Sequence, residues 1–275
     1  MMNTLLLLVV VCMSVLPGAA FSGEKLTYSG SSTIGMSILQ AGALKAFEEK
    51  TGKTFAQVDM PGSGKGLDAL LDDAVAIAGV SRALKAQEQK KKLIGTVIGF
   101  DGIAVFVHAS NPVKSLSKAQ LKGIFTGKIK NWMQVGGTDG AIEPNTEIAG
   151  EKRATMVAFQ EMAMDSAPYG RGFRQIDFPR DQISETAGNK HAICTVSMGL
   201  RSRLSAFLRN KVRVVAVNGV EPTEAAILSG AYALSRPLLL VTRGKPRGEA
   251  KKFIAFMLSA EGQKKVGINF VRAEY

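Results

Sequence analysis

Aromatic residues supply only 7% of this 275-residue chain, with one tryptophan, and histidine occurs just twice. No nucleic-acid-binding motif accompanies that scarcity, so a nucleic-acid partner is not expected. His108 and His191 lie on apolar segments without metal-ligand spacing, which leaves no basis for a metal centre or other cofactor. Cysteine is equally rare: Cys12 falls in the N-terminal apolar run, and Cys194 then stands alone, so no internal disulfide can form. With Ala192, Ile193 and Val196 as neighbours, Cys194 reads as a buried, inert thiol.

Long apolar runs are absent too. Leu5 to Leu16 is uncharged and almost wholly apolar, but falls short of the roughly 20 residues of a membrane span. It ends in Pro17-Gly18-Ala19-Ala20 and fits the apolar core of a secretory signal peptide, cleaved after Ala20 or Ser22. The segment before it carries no Lys or Arg, and Val11 before Cys12 argues against lipid attachment. The mature chain is therefore expected to be exported, periplasmic or secreted. No internal repeat and no Pro- or Ser-rich linker divides the rest, so any second lobe must be inserted between strands of the first.

Enzyme signatures are also missing. Gly62-Ser63-Gly64 lacks the spacing of a nucleophile elbow. Gly64-Lys65 resembles a nucleotide loop only superficially, because Gly66 stands where Ser or Thr is needed and Asp59 where the first Gly belongs. We expect no catalytic residues.

The net charge is +12, dispersed except for Lys90-Lys91-Lys92. That describes a solvated basic surface able to steer an anion. The organising stretch is Ser29-Gly30-Ser31-Ser32-Thr33-Ile34-Gly35, between an apparent strand at Lys25–Tyr28 and a helix whose Met36, Leu39, Ala43 and Phe47 share one face. Free backbone N–H groups at a helix start, with hydroxyls beside them, suit an anion. Pro61-Gly62-Ser63-Gly64-Lys65-Gly66 repeats the arrangement before Leu67, Leu70 and Leu71. Two such turns suggest one oxyanion held between helix ends.

Further along, Ala74–Val80 reads as a buried strand ending at Ser81-Arg82, and a polar helix follows over Lys85–Leu93. Thr96–His108 reads as two strand segments bent at Asp101-Gly102, a passage between lobes. Ser117 and Gln120 form a capping box. Residues 136–146 read as loop, 149–164 as helix and 168–180 as irregular. A turn and strand fall at 188–196 and strands at 212–217 and 238–242, with helices over 222–228, 246–258 and 260–266. Strands alternating with helices give an α/β class. Arg82 and Arg153, at a strand end and a helix start, present forks that can grip an oxyanion.

Together these residues resemble the periplasmic phosphate-binding proteins of phosphate ABC importers, within the type II solute-binding superfamily. The resemblance rests on Asp101-Gly-Ile-Ala-Val-Phe-Val-His108, Asn111-Pro112, Leu121-Lys-Gly-Ile-Phe-Thr-Gly127, Asn131-Trp132, Gly136-Gly137, Val217-Asn-Gly-Val220 and Leu234-Ser-Arg-Pro-Leu238, in that order. It implies a two-lobed type II periplasmic binding protein fold, each lobe a mixed sheet flanked by helices: signal peptide 1–22, lobe 1 over 23–103 plus 236–275, lobe 2 over 104–235. The implied ligand is inorganic phosphate or a related oxyanion, the partner an ABC permease of the inner membrane, and the receptor a monomer. Carried over by position, Ser32, Thr33 and Ile34 supply first-turn donors, Ser63 a second-turn hydroxyl, and Ser81 the end of the next strand. Arg153, Ala154 and Thr155 open the helix from the other lobe.

Two departures stand out. Arg82 follows Ser81 where better-known members carry an acidic proton acceptor that rejects sulfate, a role left to Asp101 or another group. Gly150-Glu-Lys-Arg-Ala-Thr155 replaces the usual Arg followed by Ser-Gly-Thr, so Arg153 either reaches the anion or marks a weakened site. The alternative reading is a phosphate-binding-like signalling or surface protein with a degenerate oxyanion site.

Overall fold

The computed structural model describes residues 26–148 and 154–273; the expected signal peptide and the 149–153 segment lie outside them. In chain order the elements are β1 (Thr27–Gly30), α1 (Ser32–Ile34), a π-helical stretch (Gly35–Ala43), α2 (Leu44–Thr51), β2 (Gln57–Asp59), α3 (Ser63–Leu71), β3 (Ile77–Val80), α4 (Ala86–Gln89) and β4 (Leu93–His108). Then come β5 (Ser115–Leu116), α5 (Lys118–Phe125), β6 (Glu143–Thr146), α6 (Ala154–Ala163), β7 (Arg174–Gln175), α7 (Pro179–Gly188), β8 (Ala192–Ser197), α8 (Ala206–Lys211) and β9 (Val212–Val217). The chain closes with α9 (Glu224–Leu228), β10 (Ser235–Arg243), α10 (Gly248–Leu258), α11 (Ala260–Val266) and β11 (Val271–Arg272).

The strands form one mixed sheet in the order β2-β1-β3-β10-β4-β8-β6-β7. β1 pairs in parallel with β2 and β3, and β10 then lies antiparallel to β3 and β4. β4 changes partners along its length: through Gly102 it pairs with β10, and from Ile103 onward with β8 and β9. One strand thus carries the chain from the first half of the sheet into the second. The bend expected at Asp101-Gly102 is not there; β4 is continuous, and its irregularity falls at Ile98, where the β10 register slips between Leu238 and Leu239. An apolar run with Asp101 fully paired has no cause to break.

Burial follows this division. Tyr28, Ile34, Ile38, Phe47, Leu240 and Phe253 build a core under the first half, with Phe47 and Phe253 edge to face at 5.1 Å. Val105, Leu121, Phe125, Trp132, Phe159 and Val215 build another under the second. The capping box at Ser117 forms as expected, the Ser117 Oγ accepting from the Gln120 N–H at 3.0 Å and the Gln120 Oε1 from the Ser117 N–H at 2.8 Å. The first long helix is less regular than its periodicity suggests: Gly42, at φ +124°, kinks it before α2, and Gly52, at φ +67°, stops it. Among the described residues no helix is long and apolar enough to cross a membrane.

Candidate oxyanion site

The site begins with close backbone contacts that only glycine permits. Gly30 ends β1 at φ +144°, and a Cβ there would lie 2.3 Å from the Gly79 carbonyl oxygen on β3. A Cβ on Gly66 would lie 2.4 Å from the Gly30 Cα, so the first turn of α3 rests directly on the end of β1. The Gly62 N–H donates to the Gly30 carbonyl at 3.0 Å, tying the two turns together. The two glycine-serine turns are therefore one structure.

Three buried serines occupy the junction. The Ser31 N–H donates to the Gly79 carbonyl at 2.8 Å, and its side chain caps α1, accepting from the Ile34 N–H at 3.4 Å. The Ser31 hydroxyl also donates to the Ser81 Oγ at 3.0 Å, and the Ser81 N–H donates to the Ser63 Oγ at 3.2 Å. Ser63 and Ser81 are thus brought together as the sequence suggested, whereas the capping hydroxyl of the first turn is that of Ser31. Ser32 and Thr33 sit half-buried on the opening turn of α1, and Ile34 is buried beneath it. The starts of α1 and α3 and the end of β3 therefore converge.

A second cluster joins this one through β10. Arg236 and Asp101 are cross-strand partners on β10 and β4. The Asp101 Oδ2 accepts from the Arg236 Nε at 3.0 Å and from an Nη2–H at 2.8 Å. Its Oδ1 accepts from the Ser197 hydroxyl at 2.9 Å. The pair is shut from solvent, with side-chain exposure of 1% for Arg236 and 0% for Asp101. Arg236 Nη2 also donates to the Thr155 Oγ1 at 3.0 Å, reaching the first turn of α6. Arg236 Nη1 is buried and meets no acceptor. A buried guanidinium N–H without a partner is costly, and an anion relieves that cost.

Strand register connects the clusters. Val80 pairs with Leu239, so Ser81, one step on, falls level with Leu238, two residues from Arg236. At roughly 3.3 Å per residue the serine junction lies within reach of a small guest on Arg236. Sequence reading missed Arg236 as a site residue. Its signal was an arginine inside the apolar run Leu234–Val241, which must find a charge partner inside the fold.

Two expectations change. Arg82 does not offer its fork to an anion: Nη1 and Nη2 bind the two Glu88 oxygens at 2.8 and 2.7 Å. The Glu88 hydrogen bonds hold the Arg82 guanidinium above its usual range. Burial acts to raise the Glu88 carboxyl, but hydrogen bonds from Arg82 and the Lys85 N–H, with the charges of both residues, hold it below the ordinary range. Asp101 is not a turn residue but the counter-charge that fixes Arg236. Arg153 lies outside the described residues, and Ala154 is the first residue of α6. Near that helix start Glu147, buried just beyond β6, accepts the Met156 N–H at 3.0 Å on its Oε2, where a negative charge complements the helix dipole. No group of three metal-ligating side chains occurs among the described residues.

A mixed sheet crossed by one long strand, with the start of α6 hydrogen-bonded to a buried arginine, is the architecture this chain shares with two-lobed periplasmic binding proteins. The chain belongs to the PBP superfamily, whose domain model matches residues 17–261. It is 31% identical to the phosphate-binding protein PstS of Bacillus subtilis over 90% of this chain and 80% of that one. The PstS of Borreliella burgdorferi is 26% identical over 87% of each chain. Among solved structures, a phosphate ABC transporter substrate-binding protein from Clostridium perfringens with bound phosphate superposes with a TM-score of 0.75 at 31% identity. A phosphate transport receptor from Vibrio cholerae gives 0.79 at 25%; each covers 91% of this chain and all of the other.

Proposed function

We propose that this chain is an exported substrate-binding protein that captures inorganic phosphate between two lobes and delivers it to an ABC importer. The lobes are 23–103 with 236–275 and 104–235, and the protein acts as a receptor without catalytic chemistry. The observation that carries the reading is the Arg236 Nη1, buried and unpartnered on a guanidinium whose Nη2 donates to Thr155, in a chain similar to PstS over most of its length. Arg236 grips the anion; the α1 backbone at Ser32, Thr33 and Ile34 with Ser63, Ser81 and Thr155 completes the donor set; Asp101 holds the fork in place. Charge-assisted hydrogen bonds contribute about 1.5–3 kcal/mol each. Micromolar capture needs about 8 kcal/mol net, so a handful of donors suffices after desolvation and closure.

Titration calorimetry on ligand-stripped protein tests this. Phosphate binds at micromolar concentration or tighter, sulfate binds more weakly, and Arg236→Met abolishes binding. No heat with phosphate at 100 μM protein overturns the reading.

The second reading, a signalling or surface protein with an altered site, is favoured by one observation: the Glu147 carboxylate already takes the Met156 N–H at the start of α6. Under that reading Thr33→Ala with Ser63→Ala leaves biological activity intact, whereas a transport receptor loses phosphate uptake.

A further inference from the structure

We propose that Lys85 and Glu161 form an ion-pair latch that holds the two halves of the molecule shut, and so set ligand affinity as positioning residues without touching the anion. The inference rests on the receptor reading above. Lys85 lies in the connection from β3 to β4, on the first half of the sheet; Glu161 lies on α6, in the second. The Lys85 Nζ stands 2.8 Å from the Glu161 Oε1. Both residues line a cavity of about 500 Å³ that Arg82, Ser235 and Arg236 also border, so the pair spans a cleft adjoining the oxyanion site.

The latch has a built mount. The Lys85 N–H donates to the Glu88 Oε2 at 2.8 Å, and Glu88 is in turn clasped by both Arg82 Nη groups. Arg82 Nη1 further donates to the Ala83 carbonyl at 2.9 Å. Residues 82–88 are therefore braced by an internal ion pair and present the Lys85 ammonium towards α6. The field of Glu161 is felt by Arg82 as well. This gives Arg82 a purpose in place of the anion contact its position suggested: it stiffens the first-half side of the latch.

The pair forms only when the halves approach, so whatever it contributes shifts the balance of closed over open forms, and apparent affinity follows the closed fraction. Side-chain exposures of 52% and 35% keep the effect small and sensitive to salt.

The test uses the full ligand-stripped chain. Glu161→Gln and Lys85→Gln each weaken phosphate binding two- to fivefold through a faster off-rate, with melting temperature unchanged. Lys85→Glu, opposing Glu161, weakens it further, and the swap Lys85→Glu with Glu161→Lys restores it. Raising NaCl from 20 to 300 mM speeds dissociation from the parent more than from Glu161→Gln. Spin-label distances across the cleft in ligand-free protein shift towards the open form in Glu161→Gln. Parent-like off-rates in the single variants, a swap that fails to restore, or unchanged distances would each overturn the latch. Because the distances need no ligand, they test it even if the parent binds no phosphate, the result that defeats the receptor reading alone.

Discussion

Asp101→Asn is the sharpest probe of the site. The substitution keeps the shape of the side chain but removes the carboxylate charge paired with Arg236, at a position where both side chains are at most 1% exposed. Breaking a buried ion pair by neutralising one partner costs about 3–5 kcal/mol, since the other charge stays buried without compensation. For a chain of this size each kcal/mol lowers the melting temperature by roughly 2–4 °C, so the ligand-free variant melts about 6–20 °C below the parent. Phosphate then supplies the missing counter-charge. At about 1,000 times Kd the parent gains about 4 kcal/mol, and the variant recovers part of its deficit on top of that gain. Thermal unfolding followed by circular dichroism, with and without phosphate, reads both effects. Combining Asp101→Asn with Arg236→Met costs less than the two separate changes summed, because no charge is then stranded. A ligand-free melting temperature within 2 °C of the parent would refute the argument that this pair is a buried, mutually dependent unit.

Other outcomes follow from the same geometry. Gly66→Ala drives a Cβ to 2.4 Å from the Gly30 Cα; urea unfolding should show a loss of at least about 2 kcal/mol, with phosphate binding abolished. Ser31→Ala removes the α1 cap and the donor to Ser81, lowering stability by about 1–2 kcal/mol in the same assay. Burial pushes the Cys194 thiol up to about 12 from an ordinary 9.0, against a hydrogen bond from Thr186. Above pH 9 the unfolded chain sheds this proton while the folded one keeps it. Stability contributed by the neutral thiol is therefore complete below pH 9 and falls by about 1.4 kcal/mol per pH unit towards pH 12. Unfolding at pH 8, 9 and 10 shows the onset, which Cys194→Ala flattens, and the native thiol stays unreactive towards Ellman's reagent at pH 8.

Much of the chain could be read from local pattern. The glycine-serine turns, the capping box at Ser117 and the stop at Gly52 each depend on neighbours a few residues away. The misses depend on distant partners. β6 (Glu143–Thr146) reads as loop because Pro144 and Asn145 are poor strand formers, yet it pairs with β8 through Glu143–Ala192 and Pro144–Ile193. α7 (Pro179–Gly188) has a sparse apolar face and is held by tertiary packing of Ile183 against Phe106, Cys194 and Leu208. Arg236 was visible as part of a signature but carried no role, since its carboxylate partner is 135 positions away in sequence. Arg82 misled for a simpler reason. A strand-end arginine suits an anion and an intramolecular carboxylate equally well, and Glu88, six residues on, takes it.

The partner change along β4 has one more consequence. Asp101 and Arg236 sit where that strand passes from one half of the sheet to the other. Displacements are smallest near an axis of rotation. Under the receptor reading the halves swing about this point, so the positive end of the site would barely move while the starts of α1 and α3 on one side and α6 on the other travel towards it. An arriving anion would then meet a constant electrostatic anchor first and its amide and hydroxyl donors second, making capture a two-stage event with recognition complete only at closure.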